Sequence, residues 1–377
     1  MSHRVASGWR IVGLAAILGL LGSGVAAMAL ADSPAGSSVI KRSGLGGGPL
    51  RLARPAQTAA SNAGLRLLRE AATACQATSY HGEQVVLWWG PGETSASVVD
   101  VWHQPGQVTL VQATNVAPGK AVGAGTPASP ASDPDPDGIL GVSNQLLVLL
   151  QSNYRIVYVG HGSAAGRTAL VVEVRRPGRG GLAARFWLDA ATKLPLRREI
   201  TSGSHMISED SFINLQLGAR GLGAMPAPAG APWTARLDSA SLTALRAKGW
   251  PLPAQLPGNL VLFAATQTSA GSGRVIDLSY SDGLAVISVF VQRGELGRPM
   301  PGWRQIGMRG QTVYSIDPDS RSFAWSSGGF VYTVVADAPA AVVRQVVAAM
   351  PNPTRPGFWQ RLAIGFRRLA SGLNPLH

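Results

Sequence analysis

From Ala59 to Thr78 the apolar residues Leu65, Leu68, Ala71, Ala72 and Cys75 recur at helical spacing, with Arg66, Arg69 and Glu70 among them. This period predicts an amphipathic helix with its charges mostly outward. The period then shortens. "EQVVLWWG" and "SASVVDVWHQ" are β-branched and aromatic runs joined by the turn signal "PGET", and "QVTLVQAT" makes a third strand. The stretch from Ala117 to Gly138 has no period and reads as a long structureless loop. "NQLLVLLQSN" is a short helix; "YRIVYVGHG", "TALVVEVRR", "RFWLDAATKLPLRREI" and "HMISEDSFINLQLG" complete a strand-rich first half.

Residues 219–232, rich in Gly, Ala and Pro, form a linker. Beyond it "SLTALRAKG" is a helix ending at Gly249. Strands follow at "NLVLFAATQT", "RVIDLSYSD", "LAVISVFVQRG", "QTVYSID", "SFAWSS" and "FVYTVVAD", and then a helix, "PAAVVRQVVAAM", with proline in its first turn. In the tail, Phe358, Leu362, Phe366, Leu369 and Leu373 fall on one helical stripe, with Arg361, Arg367 and Arg368 off it. Pattern alone fits two placements equally: an interfacial helix on a membrane surface, or a helix docked on the protein's own C-terminal domain.

Alternation places Trp88 and Trp89 on opposite faces of their sheet, and likewise Phe186 and Trp187. Most apolar stripes are core, and pattern alone favours a dry core under a helix. Pro195, near the start of its arm, needs an edge, a strand start or a bulge, because it has no N–H for a ladder.

Composition narrows the function. The chain has 377 residues, long enough for two domains, and 46% of them are hydrophobic. Its net charge is +13, nearly all from arginine, yet no basic stripe is interleaved with stacking aromatics, so nucleic acid is not an expected partner. An acidic partner or an anionic surface fits better. Arg4 and Arg10 precede an uncharged run, Ile11 to Ala31, that ends in Ala29-Leu30-Ala31. Export is expected, with either cleavage after Ala31 or retention of residues 1–31 as an anchor. Residues 32–57 read as a tether. The one cysteine, Cys75, has no internal partner.

Chemistry is sparse. None of the six histidines pairs with another at metal-ligand spacing, and "GHGSAAGR" reads as a turn between strands. Asp133, Asp135, Asp137 and Gly138 match half of a calcium loop, but Asn144 stands where a bidentate carboxylate is needed. Glu209 and Asp210 are neighbours on a strand and point apart; they read as a solvated edge, not an acid/base pair. Neither a cofactor nor a metal is expected, and a binding protein is favoured over an enzyme.

One resemblance gathers these readings. "YRIVYVGHGSAAGRTALVVEVRRP", followed by "RFWLDAATKLPLRREI" with Trp187, Asp189, Thr192, Leu194, Pro195 and Arg197, resembles the RseB/MucB family of extracytoplasmic sigma-factor regulators. "VIDLSYSDGLAVISVFVQRG", Val275 to Gly294, resembles a segment of that family's C-terminal domain. The resemblance runs from Leu65 to Pro351. It implies an α+β protein: a half-open, LolA-like antiparallel β-barrel with a helix over residues 58–218, then a smaller α+β domain over 233–351. The loop 117–138 and the basic tail 352–377 depart from the family pattern. The implied function is a negative regulator that binds the extracytoplasmic segment of a membrane anti-sigma factor and senses a lipid-like ligand; a lipid or lipoprotein carrier is the alternative. Trp88, Trp102 and Trp187 are then candidate cavity lining, Arg197 and Arg198 candidate partner contacts, and the tail stripe a candidate membrane contact.

Overall fold

The computed structural model describes residues 54–89, 94–105, 109–113, 131–132, 142–178, 180–218, 235–270, 273–296, 303–308, 311–315 and 322–351. The expected leader or anchor, most of the tether and of the loop 117–138, the linker 219–232, and the tail with Phe358, Leu362, Phe366, Leu369 and Leu373 lie outside these residues. The chain divides into two compact units, one holding the residues up to 218 with 282–284, the other the rest from 235 on.

The first unit opens with helix α1 (Arg54–Ala77), followed by strands β1 (Tyr80–Trp89), β2 (Thr94–His103), β3 (Leu110–Ala113) and β4 (Ala131–Ser132). β4 is a two-residue strand inside the segment read as structureless. Helix α2 (Asn144–Asn153) comes next, with Ser143 as its N-cap: Leu146 N–H donates to Ser143 Oγ at 3.2 Å. Then come β5 (Arg155–Ala164), β6 (Arg167–Arg175), β7 (Leu182–Asp189), β8 (Pro195–Ser202) and β9 (His205–Leu217). All pairings are antiparallel, in the order β4-β3-β2-β1-β9-β8-β7-β6-β5. The order is linear, so the sheet is not closed on itself.

Helix α1 crosses one face of this sheet. Leu67, Leu68, Ala71 and Ala72 form a core with Ile156, Val172, Val174, Phe186 and Leu188 toward the β5 end. One turn later Ala74 and Cys75 share a core with Tyr80, Val99, Val101 and Phe212 on β1, β2 and β9. These few turns of helix reach from β5 across to β2 because the sheet curls round them, which is the half-open barrel. Gly64 permits the closest approach. A Cβ there would lie 2.8 Å from Tyr158 N, so a side chain would push the helix off β5.

The second unit contains β10 (Ala235–Arg236), α3 (Ser239–Ala247), β11 (Gln255–Leu256), β12 (Leu260–Ala270), β13 (Gly273–Ser281), β14 (Val286–Arg293), β15 (Arg304–Met308), β16 (Gln311–Ser315), β17 (Ser322–Ser327), β18 (Phe330–Asp337) and α4 (Ala340–Ala349). Its antiparallel sheet runs β10-β12-β13-β14-β18-β17-β16-β15, with β11 on β12. β15 gave no strand signal in the sequence. Asp238 caps α3, accepting from Ser241 N–H at 2.8 Å. Leu242 and Leu245 of α3 and Val343, Val346 and Val347 of α4 join one core on the sheet face that carries Ile276, Leu278, Val289, Trp325 and Tyr332.

The hairpin of Arg185–Ile200 gives Pro195 two of the three settings open to it, a strand start and a bulge. β8 is an interior strand between β7 and β9, and Pro195 is its first residue, beside a bulge between Trp187 and Leu188. A strand start at a bulge satisfies proline as an edge would. Asp189 ties the turn. Thr192 N–H and Oγ1–H donate to Asp189 Oδ2 at 3.0 and 2.6 Å, and Arg167 Nε and Nη2 donate to Oδ1 and Oδ2 at 3.0 and 3.2 Å. Burial pushes the Asp189 carboxyl up, but the bonds from Arg167 and Thr192 outweigh it and hold its pKa below the ordinary value. A depressed folded pKa stabilises the fold above the unfolded pKa, and that contribution is lost as pH falls through the folded value. Asp189→Asn is therefore expected to cost about 1–3 kcal/mol near neutral pH, and less in acid. Urea unfolding at about pH 7 and about pH 3 checks the sign; an equal loss at both contradicts it.

Candidate functional site

The two faces of the first sheet differ in kind. Cross-strand partners share a face, so the register assigns each side chain. Phe186, in the core under α1, is opposite Arg198, which is opposite Asp210, which is opposite Val86. A row on the helix-covered face therefore contains an ion pair. Arg198 Nε and Nη2 reach Asp210 Oδ2 at 2.8 and 2.6 Å, and the two residues are only 7% and 6% exposed. Charges taken out of water need partners, and these two have each other.

More polar groups lie beside the pair. Gln84, two residues from Val86, is buried, and its Nε2 has no hydrogen-bond partner. Ser208, two residues from Asp210, is buried with its Oγ unpaired, and Trp88 stands opposite it. Unmade buried hydrogen bonds are costly and call for an explanation. The covered face thus combines apolar walls with an arginine–carboxylate pair and with an amide and a hydroxyl that lack partners.

The opposite face carries a charged ladder. Arg175 Nε and Arg185 Nη2 reach Glu173 at 3.0 and 2.7 Å; Arg197 Nη2 reaches Glu199 at 2.5 Å and Glu209 at 3.0 Å. Arg197 and Arg185 also lie over the Trp187 ring, 4.8 and 5.6 Å from its centroid. Burial pushes the Glu173 carboxyl up, but hydrogen bonds from Arg185 and Arg175 outweigh it and hold its pKa down. For Glu209 burial prevails, aided by the charge of Glu199, and its pKa is raised despite Arg197.

The sequence-derived candidates are divided between these faces. Trp88 is on the helix-covered face. Trp102 is on the other, stacked on His81 with ring centroids 4.9 Å apart, and Trp187 is there too, under the arginines. The three tryptophans do not line one cavity. Of the 186–187 pair, Phe186 faces the helix. Arg197 and Arg198 point to opposite faces, as alternation requires, so Arg197 is half-buried on the ladder face, bound to Glu199 and Glu209, and Arg198 belongs to the interior.

Glu209 and Asp210 do point apart, but the solvated-edge reading is corrected: β9 lies between β1 and β8, and both carboxylates meet arginines. Glu173 and Asp189 are held by different arginines. Nothing in the sequence pattern alone marks the Arg198–Asp210 pair. Its only trace is a charged residue at an inward position on each of two neighbouring strands, legible once the register is known. Among the described residues no group of three or more His, Cys, Asp or Glu side chains could hold a metal ion.

Comparison with known proteins bears on the same segment. Residues 122–237 match the family described as the MucB/RseB N-terminal domain. No curated protein matches. Among solved structures, a crystal structure of MucB is 21% identical, with a TM-score of 0.47, and covers 77% of this chain and 98% of that one. MucB in complex with MucA(peri) is 20% identical, with a TM-score of 0.40, covering 77% and 99%. The Pseudomonas aeruginosa MucA/MucB complex is 18% identical, with a TM-score of 0.42, covering 78% and 99%.

Proposed function

We propose that this chain, which carries a MucB/RseB N-terminal domain over residues 122–237, binds the extracytoplasmic segment of a membrane anti-sigma factor. The family match carries the reading. It is supported by the export signal read at Arg4–Ala31, which would put the chain on the outer side of the membrane. It is supported also by the net charge of +13, which favours encounter with an acidic segment. Regulation by a lipid-like ligand belongs to the same proposal. The helix-covered face supports it, because Gln84, Ser208 and the Arg198–Asp210 pair would hold a polar head while Trp88 and Val86 meet an acyl chain. The same features would serve a lipid or lipoprotein carrier, and the partner test separates the two.

Pull-down from solubilised membranes identifies the anti-sigma factor. Its purified outer segment is then titrated against the full chain and Arg197→Glu. Wild type is expected to bind, more weakly as salt rises. Arg197→Glu, which reverses the charge on the ladder face, is expected to bind roughly tenfold more weakly, about 1.4 kcal/mol, with far-ultraviolet circular dichroism checking that the variant is folded. Undetectable binding by folded wild type at both low and moderate salt sinks the regulator reading and leaves the carrier.

A further inference from the structure

Every ion pair among the described residues lies in the first unit, where Arg167, Arg175, Arg185, Arg197 and Arg198 each meet a carboxylate. In the second unit none of the described arginines, nor Lys248, has a carboxylate within 4 Å. Three of these cations gather at one corner of the unit. Arg246 and Lys248 end α3 and Arg293 ends β14, and all three are exposed. Arg293 Nη2 donates to the Lys248 carbonyl at 3.2 Å, which joins the two elements. A basic last turn suits the helix dipole and accounts for Arg246 and Lys248, but not for Arg293, which comes from the sheet. Glu295, exposed two residues past Arg293, pairs with none of the three.

The charges are held in place. The Arg293 guanidinium lies over Trp250 and Phe330, 5.5 and 5.2 Å from the ring centroids, and both rings are buried. The two rings are themselves in contact, with centroids 5.3 Å apart. Arg246 Nε donates to the Leu252 carbonyl at 2.6 Å. Each guanidinium thus gives one N–H to the backbone and keeps its other donors for the outside. A fork already fixed by a carbonyl or by aromatic faces loses little freedom on binding. Its planar shape matches a carboxylate.

Charge of this kind meets a lipid surface together with apolar side chains that enter the bilayer. The large hydrophobic residues exposed among the described ones, Val148, Val159 and Ile213, all belong to the first unit. The corner therefore has the charge without the apolar face, which favours a peptide over a membrane. We propose that Arg246, Lys248 and Arg293 form a docking surface for an acidic peptide segment, whose carboxylates take the outward N–H groups of the two forks and the ammonium of Lys248. That the segment is the outer part of an anti-sigma factor rests on the function proposed above; the surface itself does not.

A fluorescein-labelled deca-glutamate peptide, titrated against the full chain at low salt, tests the surface. Wild type is expected to bind it. Arg246→Gln with Lys248→Gln is expected to weaken binding roughly tenfold. Arg304→Gln with Arg344→Gln removes the same charge from β15 and α4, and is expected to weaken it less than about twofold. Arg293→Lys keeps the charge and loses the fork, and is expected to weaken it about threefold, with an unchanged Tm showing that the Trp250–Phe330 corner stays folded. Equal losses in the two double variants overturn the proposal, because the effect is then one of net charge. Binding of the chain to phosphatidylglycerol vesicles but not to the peptide also overturns it. The purified outer segment of the anti-sigma factor is the second probe. If it binds wild type and Arg246→Gln/Lys248→Gln alike, the surface fails and the regulator reading stands. If deca-glutamate shows the expected losses while that segment does not bind wild type, the surface stands and the regulator reading fails.

Discussion

Asp210→Ala is expected to cost about 3–5 kcal/mol of stability, the largest loss from any single charge in the first unit. The variant leaves the Arg198 guanidinium on the helix-covered face without its carboxylate, at 7% exposure. The pair is not thereby the most stabilising choice at these positions. Desolvating two ions costs nearly what their attraction returns, so Arg198→Met with Asp210→Leu is expected to restore stability to within about 1–2 kcal/mol of wild type. Urea unfolding of the three proteins, followed by far-ultraviolet circular dichroism, measures both. A loss under about 1 kcal/mol for Asp210→Ala would mean that water reaches the guanidinium.

The double variant also separates stability from function. If the pair is kept because a ligand head needs it, the apolar replacement folds but loses the tryptophan fluorescence change that an acyl ligand is expected to cause through Trp88. A stable double variant with an unchanged response removes the pair from the ligand site.

How far the sequence alone leads can be judged residue by residue. α1 was legible because Leu68, Ala71, Ala72 and Cys75 repeat at one period, and all four are buried in the sheet's two cores. The turn at Ala165–Gly166 was legible as punctuation; both residues have positive φ, +49° and +69°, as a tight hairpin requires. Alternation correctly separated Phe186 from Trp187 and Glu209 from Asp210. It could not say which member faces the helix, because that depends on the register of every strand between them and on the bulges. One bulge lies at Glu83/Gln84 and another at Trp187/Leu188. Each bulge breaks the count of two that a pattern argument relies on. The three tryptophans were grouped without that register, and the structure divides them. Asp210 was misread for a related reason. A carboxylate on a strand is usually solvated, and only the cross-strand partner Arg198 makes burial tolerable.

Trp325→Ala is expected to have a comparable effect in the second unit, about 3–5 kcal/mol. Trp325 is fully buried and stacks on Tyr332 with centroids 5.2 Å apart and planes 12° apart. It belongs to the core into which α3 and α4 pack, so truncation opens a large apolar cavity among residues fixed by two sheet neighbours and a helix. Trp325→Phe distinguishes packing from the polar contact. It keeps an aromatic ring against Tyr332 but loses the donor to Pro351 O, and it is expected to cost only about 1–2 kcal/mol. That hydrogen bond holds the chain where residues 352–377 depart. Trp325→Phe should therefore increase proteolytic cleavage after Pro351 while the core stays folded. Denaturant unfolding and limited proteolysis of the two variants read these effects separately. Equal losses for Phe and Ala would assign the role of Trp325 to the hydrogen bond and not to its packing; unchanged cleavage in Trp325→Phe would mean that the tail is held by other contacts.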